Sequence, residues 1–307
     1  MDIRKKYGGT GILKNVFSKK KCARLCIADQ ITRVALFAIM FLFSFSFVFI
    51  IFWMVVTSFR ELRNFTQAPA NLFGGISVSQ IIKNYTAAFS QKVDGFTLTE
   101  TVLNTIIYVI GVTLVSTFVP MLTGYIVAKY DFKIKKILIN CAVITMIVPT
   151  VGSMITTYRF MTSLELVDTF LGVFLMSSGG IGFSFLMFRG FFASIPWEYA
   201  ESGFIDGASN MKVFFSIMMP QARSIIVSIA IVSFIGAWND YFTPYLYLSK
   251  NPTIALYVQL LSVNQRYKAN YPIQMSVLTF MVAVVLVIYA FFSKQIMESM
   301  SAGGLKA

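Results

Sequence analysis

Histidine is missing from all 307 residues of this chain. Its absence excludes the Ser-His and Cys-His pairs on which many nucleophilic enzymes depend. Cysteine is scarce, with three residues. Cys22 and Cys26 lie in a basic N-terminal segment and Cys141 in an apolar run. A CxxxC pair with no second ligand pair is a poor zinc signal, so free thiols and no metal site are expected. No glycine-rich stretch is followed by Gly-Lys-Ser or Gly-Lys-Thr, which leaves no Walker-type phosphate loop. Charge is in short supply as well, at 13% of residues against about 25% in a soluble domain. Acids are the scarcer sign, 13 against 26 bases, for a formal net charge of +13. No basic patch is interleaved with aromatics outside an apolar run, so no nucleic-acid partner is expected. Basic residues flanking membrane helices on the cytoplasmic side account for the excess instead.

What the chain has in abundance is apolar surface, 57% of its residues. About 20 apolar residues cross a bilayer as a helix, the form in which backbone groups are satisfied within the segment. Six such runs stand out, at 32–56, 102–127, 135–157, 170–190, 224–248 and 274–295. The expected fold class is an all-α membrane protein with six transmembrane helices. The third run holds Pro149 and Gly152, which predict a kink or a broken turn. The fourth holds Ser177, Ser178, Gly179, Gly180 and Gly182, read as small residues that let helices pack closely. The first run is too long for the apolar part of a signal peptide, and an uncleaved span is expected.

Basic residues set the orientation. The segment before the first run together with Arg33 at its border, the loop after the second (Lys129, Lys133, Lys135, Lys136), the loop after the fourth (Arg189, Lys212, Arg223) and the tail (Lys294, Lys306) carry 18 of the 26 bases. The rule that positive loops stay inside puts both termini in the cytoplasm, in a multi-pass membrane protein with lipid as its surroundings. The resulting divisions are a basic N-terminal segment, 1–31; a first helix and long outer loop, 32–101; a five-helix core, 102–295; and a cytoplasmic tail, 296–307. Within the outer loop a short helix is expected from Ser79 to Ser90. The second outer loop, 249–273, carries Arg266, Tyr267 and Lys268.

The same orientation places IPWEYAESGFIDGAS, residues 195–209, on the cytoplasmic side. Ser194 and Pro196 suit the start of a helix, and Glu198 and Glu201 favour its positive end. Asp206-Gly207 breaks it. Ser209 or Asn210 can cap a second helix that Pro220 limits. A helix lying on anionic lipid would present Lys or Arg along one face, yet no base occurs between Arg189 and Lys212. Acids among small residues fit a protein groove better.

This segment resembles the EAA loop in permease subunits of binding-protein-dependent ABC importers. That family shows Glu-Ala-Ala, three residues, Gly, nine residues, then Ile-x-Leu-Pro. Here the positions read Glu201-Ser202-Gly203, Gly207 and Ile217-Met218-Met219-Pro220. Ser202, Gly203 and Met219 depart from the family, each by a small or apolar replacement. Asn84-Tyr85 with Phe89, Asn104-Thr105, Gly124-Tyr125 through Phe132, FIGAWNDY (Phe234–Tyr241) and Gly303-Gly304-Leu305-Lys306 are similar to carbohydrate permeases of the type of the second maltose-system permease. The likeness covers about residues 80–307.

The resemblance implies a type I importer permease fold whose loop 194–222 forms a coupling helix. Glu198, Glu201, Ser202, Gly203, Asp206, Gly207, Ile217 and Pro220 would carry coupling to a cytoplasmic ATPase dimer. It implies a second, related permease as partner. It also implies a lipid-anchored or periplasmic solute-binding protein that delivers a sugar, in particular an oligosaccharide. ATP and Mg would sit on the ATPase, with no cofactor and no catalytic residue on this chain, which is a transport subunit and not an enzyme. The alternatives are a non-sugar solute or an ion-coupled carrier. The carrier reading wants mid-membrane ionisable groups and an inverted repeat, and only Asp240 is an acid inside a predicted span. An intramembrane aspartyl protease would need two such acids.

Asp240 at a bilayer centre would cost about 2.5–3.5 kcal/mol. Two readings stand: a group facing the substrate pathway with Trp238, Asn239 and Tyr241, or a structural bond between helices. Trp238 and Tyr241, three apart, would share a helix face and could stack on a sugar; the alternative is the aromatic belt at the membrane interface. Because no phosphate loop is present, the chain purified alone is expected neither to bind nor to hydrolyse MgATP. Nucleotide turnover above a mock preparation would contradict this reading.

Overall fold

The computed structural model describes residues 11–147 and 152–304, with side chains described for 30–147 and 152–293. The chain forms two units, Met1–Thr57 and Ser58–Ala307. Pro149, the side chains of Cys22 and Cys26, and the tail residues Leu305 and Lys306 lie outside what is described.

Helix α1 runs Gly11–Ser58, through the boundary at 31 that the change from basic to apolar composition suggested. No Gly or Pro occurs between Ile12 and Ser58, so nothing in the sequence stops the helix. Its apolar part, Gln30–Ser58, is long enough to span a membrane. Phe37, Phe41, Phe45 and Phe49 stack at four-residue spacing, with centroids 6.3 Å apart.

The segment read as a loop between the first two spans is ordered around one cation. Helices α2 (Leu62–Gln67) and α3 (Val78–Ser90) flank it. Arg60 is fully buried. Its guanidinium donates to the carbonyls of Ala68 at 2.8 Å, Asn64 at 3.2 Å, Gly74 at 3.3 Å and Pro69 at 3.4 Å. Burial pulls its pKa down from the ordinary value, because low-dielectric surroundings disfavour the charged form. Asn84 donates to the carbonyls of Ser58 and Arg60, both at 2.8 Å. Ser77 caps α3, accepting from Gln80 N–H.

A small hairpin follows, β1 (Lys92–Val93) against β2 (Phe96–Thr97). Asp94 (φ 50) and Gly95 (φ 92) form its turn, the left-handed pair that two-residue hairpins require. The all-α expectation passed over this Asp-Gly signal.

Helix α4, Leu98–Lys129, is the axis of the second unit. A reciprocal capping box of Thr97 and Glu100 opens it. The third predicted span divides into α5 (Lys135–Ile147) and α6 (Ser153–Ser163). The fourth divides into α7 (Phe170–Ser177) and α8 (Phe183–Ser194). Its glycines therefore end a helix. Ser177 and Ser178 bond back to the carbonyls of Val173 and Leu175, and the Thr123 hydroxyl on α4 donates to Gly180 O at 3.0 Å. The close packing lies elsewhere: a Cβ on Gly124 of α4 would meet the backbone N of Arg189 on α8 at 3.0 Å.

Helices α9 (Glu198–Ile205) and α10 (Asn210–Val213), a π-helical turn at Phe214–Met218 and α11 (Met219–Gln221) lead to α12 (Arg223–Asn239). Pro220 has no N–H to give the helix, and its ring would strike the carbonyl four residues back. The widened π turn precedes it, and the axis then bends by 80° into α12. The chain continues through α13 (Phe242–Tyr247), α14 (Ile254–Val263) and α15 (Tyr271–Gly304). Helix α14, capped by Thr253, falls in the segment read as the second outer loop; its ten residues are too few to cross a bilayer. It is instead a core helix, with Ile254, Tyr257 and Leu261 buried.

Among the described residues, three helices are long and apolar enough to cross a membrane, Gln30–Ser58, Leu98–Lys129 and Tyr271–Ser293. The bent pair through Pro220 makes up to a fourth. The fourth and fifth predicted runs are interrupted, between Ser177 and Phe183 and at Asp240, and the third is described as two helices on either side of residues 148–151.

Arg60→Met should release the carbonyls of Asn64, Ala68, Pro69 and Gly74 from the guanidinium that gathers them, at about 0.5–1.5 kcal/mol net for a typical hydrogen bond. Limited proteolysis should then cut between residues 61 and 77 while α4 and α15 stay protected. An unchanged cleavage pattern would contradict the clamp.

Candidate coupling site and an adjacent cleft

The stretch 195–221 folds as two helices held back to back. Ser194, expected to cap the first, is the last residue of α8 and bonds to Phe191 O at 2.7 Å. Helix α9 starts at Glu198, with both Glu198 and Glu201 in its first turn. It ends in a Schellman motif: Ala208 N–H donates to Gly203 O at 2.9 Å and Gly207 N–H to Phe204 O at 3.0 Å. Gly207 sits at φ +78, where a side chain would cost about 1–2 kcal/mol. Ser209 caps α10, accepting from Lys212 N–H.

Gly203 faces the second helix. A Cβ there would come within 2.6 Å of Ile217 Cδ1 and 3.1 Å of Val213 Cγ2. Ala200 is fully buried beside it. Of the predicted coupling residues, Gly203 and Ile217 thus build the contact between the two helices, while Glu198, Glu201, Ser202, Asp206 and Gly207 are exposed. Pro220 lies at the bend. Tyr199 (52% exposed), Ile205 (80%) and Met211 (57%) add apolar surface to that exposed side.

Sequence reasoning missed the seat beneath this loop. Lys129 Nζ donates to the Ile195 carbonyl, and Tyr130 OH donates to Asn210 Oδ1 at 3.1 Å. Tyr125 packs its ring on Phe192 at 5.3 Å and Phe214 at 4.9 Å. All three belong to the C-terminal end of α4, so that end carries both helices of the loop. Gly124-Tyr125 stood out only as a likeness; nothing in its spacing shows that it meets residues 65 or more positions away.

The second candidate group divides. Helix α12 ends at Asn239, so Trp238 and Tyr241 do not share a helix face as their spacing predicted. Trp238 is buried, donates to Met281 O at 3.3 Å and stacks on Phe234. Asp240 engages both carboxylate oxygens in hydrogen bonds within the chain. One carboxylate oxygen accepts Tyr108 OH at 2.8 Å, and the other accepts the N–H groups of Phe242 and Thr243, both at 3.0 Å. Asn239 and Tyr241 instead line a cleft of about 340 Å³ with Gln259 and a mostly apolar wall that includes Leu278, Met281 and Val285.

The second unit thus joins helices of membrane-spanning length to an exposed loop braced on α4. The fold is that of a chain in the crystal structure of a bacterial ABC transporter involved in the import of the acidic polysaccharide alginate. The TM-score is 0.73 at 20% identity, over 87% of this chain and 97% of that one. Residues 120–300 match the family described as binding-protein-dependent transport system inner membrane component. The chain belongs to that family. It is 26% identical to the arabinooligosaccharides transport system permease protein AraQ of Bacillus subtilis, over 90% of this chain and 97% of that one. It is 22% identical to the diacetylchitobiose uptake system permease protein NgcG of Streptomyces coelicolor, over 87% and 86%. It is 25% identical to the sn-glycerol-3-phosphate transport system permease protein UgpE of Rhizobium meliloti, over 82% and 91%.

Gly203→Ala should be tolerated. The far end of Ile217 can yield, and alanine gains about 0.8–1 kcal/mol of helix propensity over glycine. Gly203→Phe should overpack the contact and cost about 1–3 kcal/mol. Thermal unfolding of the detergent-solubilised protein checks the pair, and equal midpoints would contradict the close approach.

Proposed function

We propose that this chain is the transmembrane permease subunit of an ATP-driven importer that passes a sugar, in particular an oligosaccharide, from an extracellular solute-binding protein into the cytoplasm. It pairs with a second permease of the same family. Loop 194–222 seats its exposed side, with Glu198, Glu201, Ser202, Asp206 and Gly207, in a groove of a cytoplasmic ATPase dimer that holds ATP and Mg. The chain crosses the bilayer six times with both termini inside: α1, α4 and α15 as continuous helices, and α5–α6, α7–α8 and α12–α13 as broken ones. Trp238, Asn239, Asp240 and Tyr241 flank the solute pathway. Asn239 and Tyr241 are the pair on an open surface; Trp238 and Asp240 support them from behind.

The observation that carries this reading is the form of the loop. Its two helices are fixed to each other by Gly203 and to α4 by Lys129 and Tyr130, while its acids and Ile205 remain exposed. An exposed apolar and acidic surface on a braced support suits docking to a protein. The sugar assignment draws on the relatives named for arabinooligosaccharides and diacetylchitobiose. The relative named for sn-glycerol-3-phosphate favours a second reading, a small phosphorylated polyol.

Glu201→Lys tests the docking. In membranes of the native host the variant should remain inserted at normal abundance while ATP-dependent uptake of labelled arabinotriose and maltotriose falls at least about tenfold, a loss of about 1.4 kcal/mol or more in coupling. Undiminished uptake would contradict the assigned role of the loop. Uptake of labelled glycerol 3-phosphate alone would replace the sugar by the second cargo.

A further inference from the structure

Helices α4 and α12 form a closed frame. From the coupling loop the chain enters α12 at Arg223 and leaves it after Asn239. Asp240 then returns to α4 through Tyr108, at 2.8 Å. From Tyr108 to Tyr130, α4 rises about 33 Å at about 1.5 Å per residue. There it meets the same loop again, through Lys129 on Ile195 O and Tyr130 on Asn210. The two rods are therefore fastened at both ends.

The two fastenings differ in kind from what lies between them. Tyr108 is 1% exposed, and around it Val109, Ala237 and Trp238 pack as one apolar core. Such packing is non-directional and does not by itself select one register. A hydrogen bond fixes register. The Asp240 carboxylate is held for that purpose, because its other oxygen is engaged by the N–H groups of Phe242 and Thr243. A carboxylate acceptor also makes the bond one of the stronger kind.

We propose that Tyr108 is a positioning residue of the transport cycle, whose bond to Asp240 locks α12 to α4 so that a displacement of the coupling loop moves both helices as one body. The proposal rests on the permease reading. Without the bond, displacement of the loop is absorbed as shear between the two helices and does not reach the end of the frame where Asn239 and Tyr241 line the cleft.

The test uses the complex purified from the native host through a tag on this chain and placed in lipid nanodiscs. Cys22, Cys26 and Cys141 are replaced by serine, and spin labels are attached at the exposed positions Leu114 of α4 and Val232 of α12. With Tyr108 intact, the distance between labels should be the same without nucleotide and with MgATP. In Tyr108→Phe it should shift by about 2 Å or more, the scale of helix shifts between packed states, while the complex keeps its composition. Identical distributions for both proteins, or a shift of that size with Tyr108 intact, would overturn the proposal. Should Tyr108→Phe fail to assemble, Asp240→Ala removes the partner of the Tyr108 hydroxyl from the other side, and the same shift is expected of it. Absence of MgATP hydrolysis in the complex with Tyr108 intact would contradict the permease reading itself and remove the basis of the lock with it.

Discussion

Breaking a helix inside a membrane frees backbone N–H and C=O groups that lipid cannot satisfy. This chain breaks several of its apolar segments, and side chains of α4 answer at the breaks. Thr123 takes the carbonyl of Gly180 between α7 and α8. Thr105 accepts the N–H of Ile254 at the start of α14, at 2.8 Å, and Asn104 donates to Pro252 O. Tyr108 holds Asp240, which itself supplies acceptors for the N–H groups that open α13. The interruptions therefore cost less than they would in bare hydrocarbon, provided that α4 stays straight and in register beside them.

That dependence joins the two ends of the second unit. One apolar core, with Leu98, Tyr108 and Val109 of α4, gathers α12 to α15. A second, with Met121 and Tyr125, gathers α8 and the loop that follows it. Helix α4 belongs to both. Whatever moves the loop around Glu201 and Gly207 acts on Tyr125, Lys129 and Tyr130 first, and through them on the partners of Tyr108. In the proposed importer this is the path by which events at an ATPase reach the cleft beside Asn239 and Tyr241.

The sequence was most legible where local chemistry decides the outcome. The turn at Asp206-Gly207 could be read from its residue types, because a left-handed position calls for glycine. Ser209 could be read as a cap for the same kind of reason, and α3 appears at Val78–Ser90 close to the expected Ser79–Ser90. Hydropathy located the apolar runs but not their interruptions. A run such as 170–190 is apolar whether or not its glycines end a helix, and only Thr123, about sixty positions away, makes the break affordable. Helix α14 was hidden by its length, and Arg60 by its charge, since bases in loops are ordinarily solvated. Trp238 and Tyr241 illustrate a further limit: a three-residue spacing means a shared face only if the helix continues, and Asp240 ends it.

The central claim is that loop 194–222 is the surface through which an ATPase acts on this chain. Site-specific photocrosslinking tests it most directly, with a photoreactive amino acid in place of Ile205, the most exposed apolar side chain of the loop. In intact cells the label should capture a nucleotide-binding subunit, and the yield should change when the complex is trapped with MgATP and vanadate. Capture of lipid alone, in a complex that still imports its solute, would contradict the account.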